Sequence, residues 1–220
     1  MPRARPPRDC PSPDGPKVNH LPPGLKFWRI HGLGRGPLEF RSTGAVDKRR
    51  DPLTFGNEGR FDCQTGEYEY LYLGETRLCT FAEAFLRDDV VRDPSARYIR
   101  RDNVTRAAIS RIETTDSVAL VDLRGAVALG RVGQDAWLTA SEEVDYPLTQ
   151  EWATAIRRWA PDADGFYWMA KRDDTHAAVV LFDDHAVSER LEGRVVYAFG
   201  DPSAYAYALA QLAKLNVAVR

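Results

Sequence analysis

The residues of this chain best suited to chemistry are a tyrosine and a glutamate, Tyr72 and Glu83, on either side of a break in the sequence pattern. Tyrosines alternate with other residues up to Tyr72, with the period of two that is typical of a strand. Gly74 ends that alternation, Thr76 suits a helix N-cap, and apolar residues then recur at helical spacing. Glu83 falls at the margin of the apolar stripe, so its carboxylate can face a cleft beside the strand end that carries Tyr72. The alternative is a surface glutamate on an amphipathic helix.

Length and composition indicate a soluble globular protein that can bury a core. The 220 residues are 44% hydrophobic and 28% charged, with a formal net charge of −2. A pI near 6.1 argues against a protein dedicated to nucleic acid, although it is compatible with a local basic pocket. No apolar run approaches the ~18 residues of a membrane span, and the basic start lacks the apolar segment of a signal peptide. We therefore expect a cytoplasmic protein with no membrane segment and no direct nucleic-acid binding.

The spacing of cysteines and histidines predicts neither a disulfide framework nor a metal site. Cys10, Cys63 and Cys79 are odd in number and far apart, as in proteins whose thiols stay reduced. The four histidines lack the spacing of metal ligands.

The pattern along the chain predicts an N-terminal arm followed by one domain. Residues 1–23 contain eight of the 14 prolines and almost no aliphatic residues, which predicts a disordered or loosely attached arm. Residues 24–220 are predicted to form a single α+β domain, because strands and helices are mixed without regular alternation. Predicted strands cover residues 26–31, 68–72, 116–123, 165–169, 176–182 and 194–199. Helices are predicted to follow Thr76, Thr149 and Asp201, the second ending at Pro161, and residues 41–66 and 87–101 are predicted to be irregular.

A series of short motifs resembles the RES domain, a family named for its arginine, glutamate and serine residues. The motifs are Trp28-Arg29, Gly59-Arg60-Phe61, Tyr72-Leu73 with Glu83, Val121-Asp122-Leu123, Thr149-Gln150-Glu151-Trp152-Ala153, Asp164-Gly165-Phe166-Tyr167-Trp168 and Val180-Leu181-Phe182. Each motif is weak alone, and their order and spacing carry the resemblance. It implies a fold like that of ADP-ribosyltransferases, with a mixed β-sheet core and surrounding helices.

The resemblance also implies an activity. Members of the family are bacterial toxins that consume NAD by hydrolysis, by phosphorolysis or by ADP-ribosylation of a target. We therefore expect an NAD glycohydrolase, NAD phosphorylase or ADP-ribosyltransferase that cleaves the nicotinamide–ribose bond, with NAD as substrate and no metal. The implied partner is a cognate antitoxin with an Xre-like region, and a homodimer is one alternative for the oligomeric state.

The residues that match the family's motifs supply the candidate site. The catalytic candidates are Glu83 and Arg29, and the NAD-binding candidates are Arg29, Arg60, Tyr72, Ala170 and Arg172. A carboxylate can stabilise positive charge on the ribose, arginine forks can bind phosphate oxygens, and a tyrosine ring can stack on nicotinamide. The structural alternatives are a strand-surface charge for Arg29, a solvated loop for Arg60, a core position for Tyr72 and a solvated turn for Lys171 and Arg172.

One position departs from the family pattern. The family's serine falls, counting from Gly165, on Ala170. Loss of that hydroxyl removes a hydrogen bond to the ligand or to the carboxylate, at a cost of roughly 1–3 kcal/mol if a buried partner is left unpaired. A catalytically impaired module that binds NAD or a partner is therefore the alternative function. Nucleic-acid binding rests only on scattered arginines.

Overall fold

A mixed β-sheet of eight strands lies at the centre of the fold. The computed structural model describes residues 4–42, 59–86 and 97–220. The strands are β1 (Val18–Leu21), β2 (Lys26–Gly32), β3 (Tyr70–Gly74), β4 (Tyr98–Ile99), β5 (Ala107–Thr114), β6 (Val118–Asp122), β7 (Gly165–Met169), β8 (Ala177–Phe182), β9 (Leu191–Ala198) and β10 (Ala218–Val219). The large sheet has the order β1-β6-β7-β8-β3-β2-β5-β9, and β4 and β10 form a separate parallel pair. In the large sheet β6 and β7 are parallel, and the other neighbours are antiparallel.

Helices pack around this sheet. They are α1 (Arg77–Phe85), α2 (Arg101–Thr105), α3 (Gly125–Arg131), α4 (Trp137–Ala140), α5 (Tyr146–Trp159) and α6 (Pro202–Lys214). Within the described ranges, no helix is long and apolar enough to cross a membrane. The combination of a large mixed sheet with separate helices confirms the predicted α+β class.

Strand β2 joins the apolar core to the polar residues beside it. Trp28 and Ile30 pack against the apolar cluster that includes α1 and α6. Phe27 belongs to a different buried cluster, and its neighbours at the period of two, Arg29 and His31, are also buried. Buried polar groups cost free energy unless they are hydrogen-bonded. This row of β2 therefore requires polar partners, which the candidate site supplies.

The turn from β3 into α1 sets the position of Glu83. The Thr76 hydroxyl accepts a hydrogen bond from the Cys79 N–H at 3.2 Å, which confirms the predicted N-cap. Gly74 allows helix α1 to pack closely against the end of β3, because a Cβ at this position would lie 2.4 Å from Thr80 Oγ1. Helix α1 consequently begins almost directly after β3 and packs back against β2 and β3.

Several other predicted elements are confirmed. Strands β7 and β8 pair antiparallel, as expected for the predicted segments 165–169 and 176–182. Helix α6 begins after its N-cap at Asp201, and Pro202 occupies the first turn, where a missing N–H costs little.

The predicted start of the helix after Thr149 is wrong. Helix α5 begins at Tyr146, with a proline in its first turn, so Thr149 lies inside the helix and is not its N-cap. The Thr149 hydroxyl is fully buried and donates to the carbonyl of Arg60 at 2.8 Å. The Thr149 hydroxyl, predicted to cap a helix, therefore makes a tertiary hydrogen bond instead. The helix does end at Trp159, close to the predicted stop at Pro161.

The prediction of a loose arm is wrong for its last residues. Val18–Leu21 forms β1 and pairs with β6, and Lys17 forms a 2.9 Å ion pair with the buried Asp122. Further upstream, the indole N–H groups of Trp152 and Trp159 donate to the carbonyls of Ala4 and Arg8. The arm thus provides partners for two indole N–H groups and for the Asp122 carboxylate of the domain. These polar contacts attach it to the domain, although it contains few apolar residues.

Strand β5 was not predicted from the sequence, although it pairs with β2 along the whole length of β2. Residues 43–58 and 87–96, parts of the segments predicted to be irregular, lie outside the described residues.

Candidate active site

A pocket rich in arginine opens beside β2, β3 and α1. The charged residues that line it are Arg29, Arg35, Arg41, Arg60, Arg172 and Glu83. Its aromatic lining consists of Tyr70, Tyr72, Tyr146 and Trp168. The pocket therefore concentrates positive charge in a chain whose net charge is −2, as a binding site for an anion requires. It brings together five of the six candidate site residues and leaves out Ala170.

Glu83 lies in the pocket and is paired with Arg172. Its Oε1 accepts a hydrogen bond from the Arg172 backbone N–H at 2.6 Å, and its Oε2 lies 3.5 Å from Arg172 Nη1. The side chains of the pair are only 23% and 15% exposed. The backbone bond fixes one carboxylate oxygen, and within the described part of the chain the other oxygen faces the more distant guanidinium atom.

Arg60 is buried and held by a serine. Its Nε donates to Ser141 Oγ at 3.0 Å, and its Nη2 donates to the Ser141 carbonyl at 3.1 Å. The guanidinium also lies 5.6 Å from the centre of the Tyr146 ring. Burial lowers the pKa of Arg60. A guanidinium held in this way is preorganised, unlike the side chain of a solvated loop.

Arg29 faces the same pocket but also ties down the segment that follows β2. Its Nη1 donates to the carbonyls of Gly36 and Pro37, at 3.1 and 2.7 Å, and its Nη2 donates to the carbonyl of Glu39 at 2.9 Å. Burial lowers the pKa of Arg29 to about 10, so it remains charged near neutral pH. The structure therefore shows a buried strand residue in place of a surface charge.

Tyr72 lines the pocket with its hydroxyl anchored. The phenol accepts a hydrogen bond from the Phe61 N–H at 2.9 Å and donates one to Asp62 Oδ1 at 2.9 Å. Burial, followed by the charge of Asp62, raises the pKa of Tyr72 well above its usual value. The ring also packs edge-on against Trp168, with centroids 6.2 Å apart. Tyr72 is thus a neutral aromatic side chain with a fixed orientation.

A histidine that sequence reasoning did not select also lines the pocket. His31 Nδ1 lies 3.0 Å from the Gly32 carbonyl, and its Nε2 lies 2.7 Å from Ser110 Oγ. The carbonyl can only accept, so the network assigns the proton to Nδ1 and makes Nε2 the acceptor for the serine. Burial lowers the pKa of His31, in agreement with a neutral ring.

Ala170 is buried next to the pocket. It is 1% exposed, belongs to the apolar cluster that contains Trp168 and Cys79, and donates its N–H to the His176 carbonyl at 3.0 Å. It is two positions before Arg172, whose backbone holds Glu83. The position suspected from the sequence is therefore close along the chain to Arg172, the residue that holds the carboxylate, but it does not line the pocket.

The arrangement suits a ligand that is anionic at one end and aromatic or cationic at the other. Guanidinium groups can bind phosphate oxygens, and the carboxylate can stabilise a positive charge that develops nearby. Among the residues that the structure describes, no cluster of three or more histidine, cysteine, aspartate or glutamate side chains could hold a metal ion. Sequence reasoning missed Arg35, Arg41, His31, Tyr146 and Asp62. Of these, Asp62 had the clearest signal, because it follows directly after the Gly59-Arg60-Phe61 motif.

Comparisons with known proteins identify the family and the fold of the chain. A protein-family model described as the RES domain matches residues 26–200. Among solved structures, the chain is similar to MbcT in the crystal structure of the M. tuberculosis MbcT–MbcA toxin–antitoxin complex. The similarity has 19% sequence identity and a TM-score of 0.54, and it covers 87% of this chain and 92% of that chain. At this identity the likeness shows the fold. A search of curated proteins gives no match.

Proposed function

Because this chain belongs to the RES domain family, we propose that its pocket binds NAD and cleaves the bond between nicotinamide and ribose. The observation that carries the proposal concerns the described residues that line the pocket, which place one carboxylate, Glu83, among five arginines. In NAD the pyrophosphate can bind the arginines. The cationic nicotinamide ring is attached to the ribose on which positive charge develops, and a carboxylate is required beside that ribose. The charges of the pocket thus complement the charges of the dinucleotide.

The proposed chemistry needs little acid catalysis. The nicotinamide nitrogen is already cationic, so the C1′–N bond breaks with both electrons leaving on a neutral nicotinamide. Positive charge then grows on the ribose as in glycoside cleavage. The Glu83 carboxylate stabilises that charge and accepts a hydrogen bond from a ribose hydroxyl. An acceptor, which is water, phosphate or a protein side chain, then forms the new bond to C1′, and an acceptor that carries a proton releases it to solvent.

The other lining residues bind and orient the substrate in this proposal. Arg29 and Arg60 bind the pyrophosphate, where each charge-assisted contact is worth roughly 1.5–3 kcal/mol. Tyr72 stacks on the nicotinamide, since its anchored hydroxyl fixes the plane of the ring. Arg172 contributes a further cation next to Glu83.

We also propose that the protein is a cytoplasmic toxin controlled by a partner protein. Support comes from membership of the family and from MbcT, the similar chain in a solved toxin–antitoxin complex. An NAD-consuming enzyme needs such control, because NAD is essential to the cell that makes it. The proposed partner is a cognate antitoxin with an Xre-like region, and the proposed oligomeric alternatives are a monomer and a homodimer.

The direct test is release of nicotinamide from NAD by the purified protein. We expect release that depends on protein concentration and on Glu83. Absence of release by a folded protein that binds NAD would reject the enzyme and favour a binding module.

Ala170 is the observation that favours this second function. Ala170→Ser restores the hydroxyl of the family pattern at a site next to the turn that holds Glu83. For an impaired enzyme, we expect Ala170→Ser to raise nicotinamide release. Equal release by both proteins would show that the hydroxyl is not required in this chain.

A further inference from the structure

Asp62 is a buried carboxylate behind the pocket that the proposed chemistry does not use. It is 1% exposed and accepts three hydrogen bonds. Oδ2 accepts from the Gly59 N–H at 2.6 Å and from the Tyr70 hydroxyl at 2.8 Å, and Oδ1 accepts from the Tyr72 hydroxyl at 2.9 Å. Burying a carboxylate costs free energy unless its oxygens accept hydrogen bonds. Asp62 meets this requirement by binding three donors, and it thereby fixes their positions.

These bonds join two parts of the proposed NAD site. Gly59 precedes Arg60, a proposed pyrophosphate ligand, and Tyr72 is the proposed nicotinamide platform. The approach is close, since a Cβ at Gly59 would lie 2.2 Å from Asp62 Oδ1 and 2.5 Å from the Tyr72 hydroxyl oxygen. Only glycine fits there without displacing the carboxylate or the phenol.

The turn at Gly59 has supports that do not involve Asp62. Gln150 Nε2 donates to the Gly59 carbonyl at 2.8 Å, and the Thr149 hydroxyl donates to the Arg60 carbonyl at 2.8 Å. Helix α5 therefore holds the position of Arg60 from the other side. The Tyr72 hydroxyl also accepts from the Phe61 N–H, so its own proton points to Asp62.

We propose that Asp62 is a positioning residue that fixes the ring of Tyr72 against the nicotinamide end of NAD. The inference rests on the proposed function, because it concerns the same substrate and the same pocket. Asp62 reaches the ligand only through the phenol that it holds. Its loss should therefore weaken recognition of nicotinamide and spare recognition of the ADP-ribose portion.

The variant Asp62→Asn tests this assignment with little change of shape. The amide oxygen can replace Oδ2 and accept from both Gly59 and Tyr70. The amide nitrogen then faces the Tyr72 hydroxyl, whose proton has lost its acceptor. The reverse orientation would set the nitrogen against two donors, which is worse. Asp62→Asn therefore removes selectively the hydrogen bond that the Tyr72 hydroxyl donates to residue 62.

The experiment measures binding of NAD and of ADP-ribose, which lacks nicotinamide, by calorimetry. All proteins carry Glu83→Gln so that NAD is not consumed. We expect Asp62→Asn to weaken NAD binding about tenfold and to change ADP-ribose binding less than twofold. Tyr72→Phe should give the same pattern, and the double variant should lose little more than either single variant.

Asp164→Asn is the matched control. Asp164 is also a buried aspartate that accepts a backbone N–H, from Ala119, and pairs with Arg190, but it does not line the pocket. Its variant should lose stability and bind both ligands like the parent. Equal losses for NAD and ADP-ribose in Asp62→Asn, or no loss in Asp62→Asn and in Tyr72→Phe, would overturn the inference. Failure of the parent to bind NAD would instead reject the proposed function, and the role of Asp62 with it.

Discussion

The carboxylate of Glu83 is held at 2.6 Å by the backbone N–H of Arg172, while the guanidinium of the same residue lies 3.5 Å from the other oxygen. One residue thus contributes a fixed donor and a separate charge to the same glutamate. A substitution of the Arg172 side chain removes the charge but retains the backbone donor. The position of Glu83 and the charge beside it can therefore be tested separately.

Arg172→Ala should weaken NAD binding more than it slows the chemical step. The backbone N–H still holds Glu83, so kcat should fall less than tenfold. Loss of one charge-assisted contact to the ligand should raise KM by about tenfold or more. Steady-state kinetics of nicotinamide release measure both constants. A fall in kcat as large as that for the removal of the Glu83 charge would show that the guanidinium acts in the transition state.

Arg29→Ala should weaken binding of NAD more than binding of nicotinamide riboside, because only the dinucleotide carries the pyrophosphate. The expected loss for NAD is about tenfold or more. Arg29 also bonds three carbonyls of the segment after β2, so the variant should be less stable than the parent. Arg111→Ala is the control, as Arg111 pairs with Glu113 on β5 and does not line the pocket. Equal losses for the two ligands would assign Arg29 to the scaffold alone.

Stability should decline as the pH falls below about 6.5, in part because of His31. Burial lowers the pKa of the folded His31 ring, whereas an unfolded histidine titrates near 6.5. Below that pH the unfolded chain binds a proton that the folded ring does not, so the free energy of unfolding falls. Urea unfolding at pH 7.5 and at pH 5.5 measures this loss.

The variant His31→Gln removes the titrating group and should show a smaller loss between the two pH values than the parent. The exposed His20 on β1 provides the control, and His20→Gln should retain most of the parent's loss between the two pH values. Parallel losses in the parent and in His31→Gln would show that His31 does not contribute.

Deletion of residues 1–23 should destabilise the domain. It removes β1, one of the two strands that pair with the buried segment Val118–Asp122, and it removes the ion pair of Lys17 with Asp122. For a chain of this size, each kcal/mol lowers Tm by about 2–4 °C, and we expect a decrease of several degrees. Deletion of residues 1–16 retains β1 and should cost less. Equal effects of the two deletions would mean that β1 contributes nothing.

The sequence predicted the parts of the site that depend on local pattern. Glu83 was placed by helical periodicity after Thr76, and both the helix and its cap are confirmed. Asp62 and His31 were missed because their partners come from other segments: the register of β2 on β5 sets His31 beside Ser110, and Asp62 meets Tyr72 only where the chain folds back. Local composition likewise concealed β1, whose pairing with β6 outweighs its proline-rich surroundings.

The most direct test of the account is the rate of nicotinamide release by Glu83→Gln. The amide retains an oxygen that can accept from the Arg172 N–H, so the fold should persist with a stability loss of about 1 kcal/mol or less. The charge needed in the transition state is removed, and we expect kcat to fall on the order of a hundredfold or more with a smaller change in NAD binding. Glu192→Gln, an exposed position on β9, is the matched control and should behave like the parent. A folded Glu83→Gln protein that releases nicotinamide at the parent's rate would contradict the assignment of Glu83.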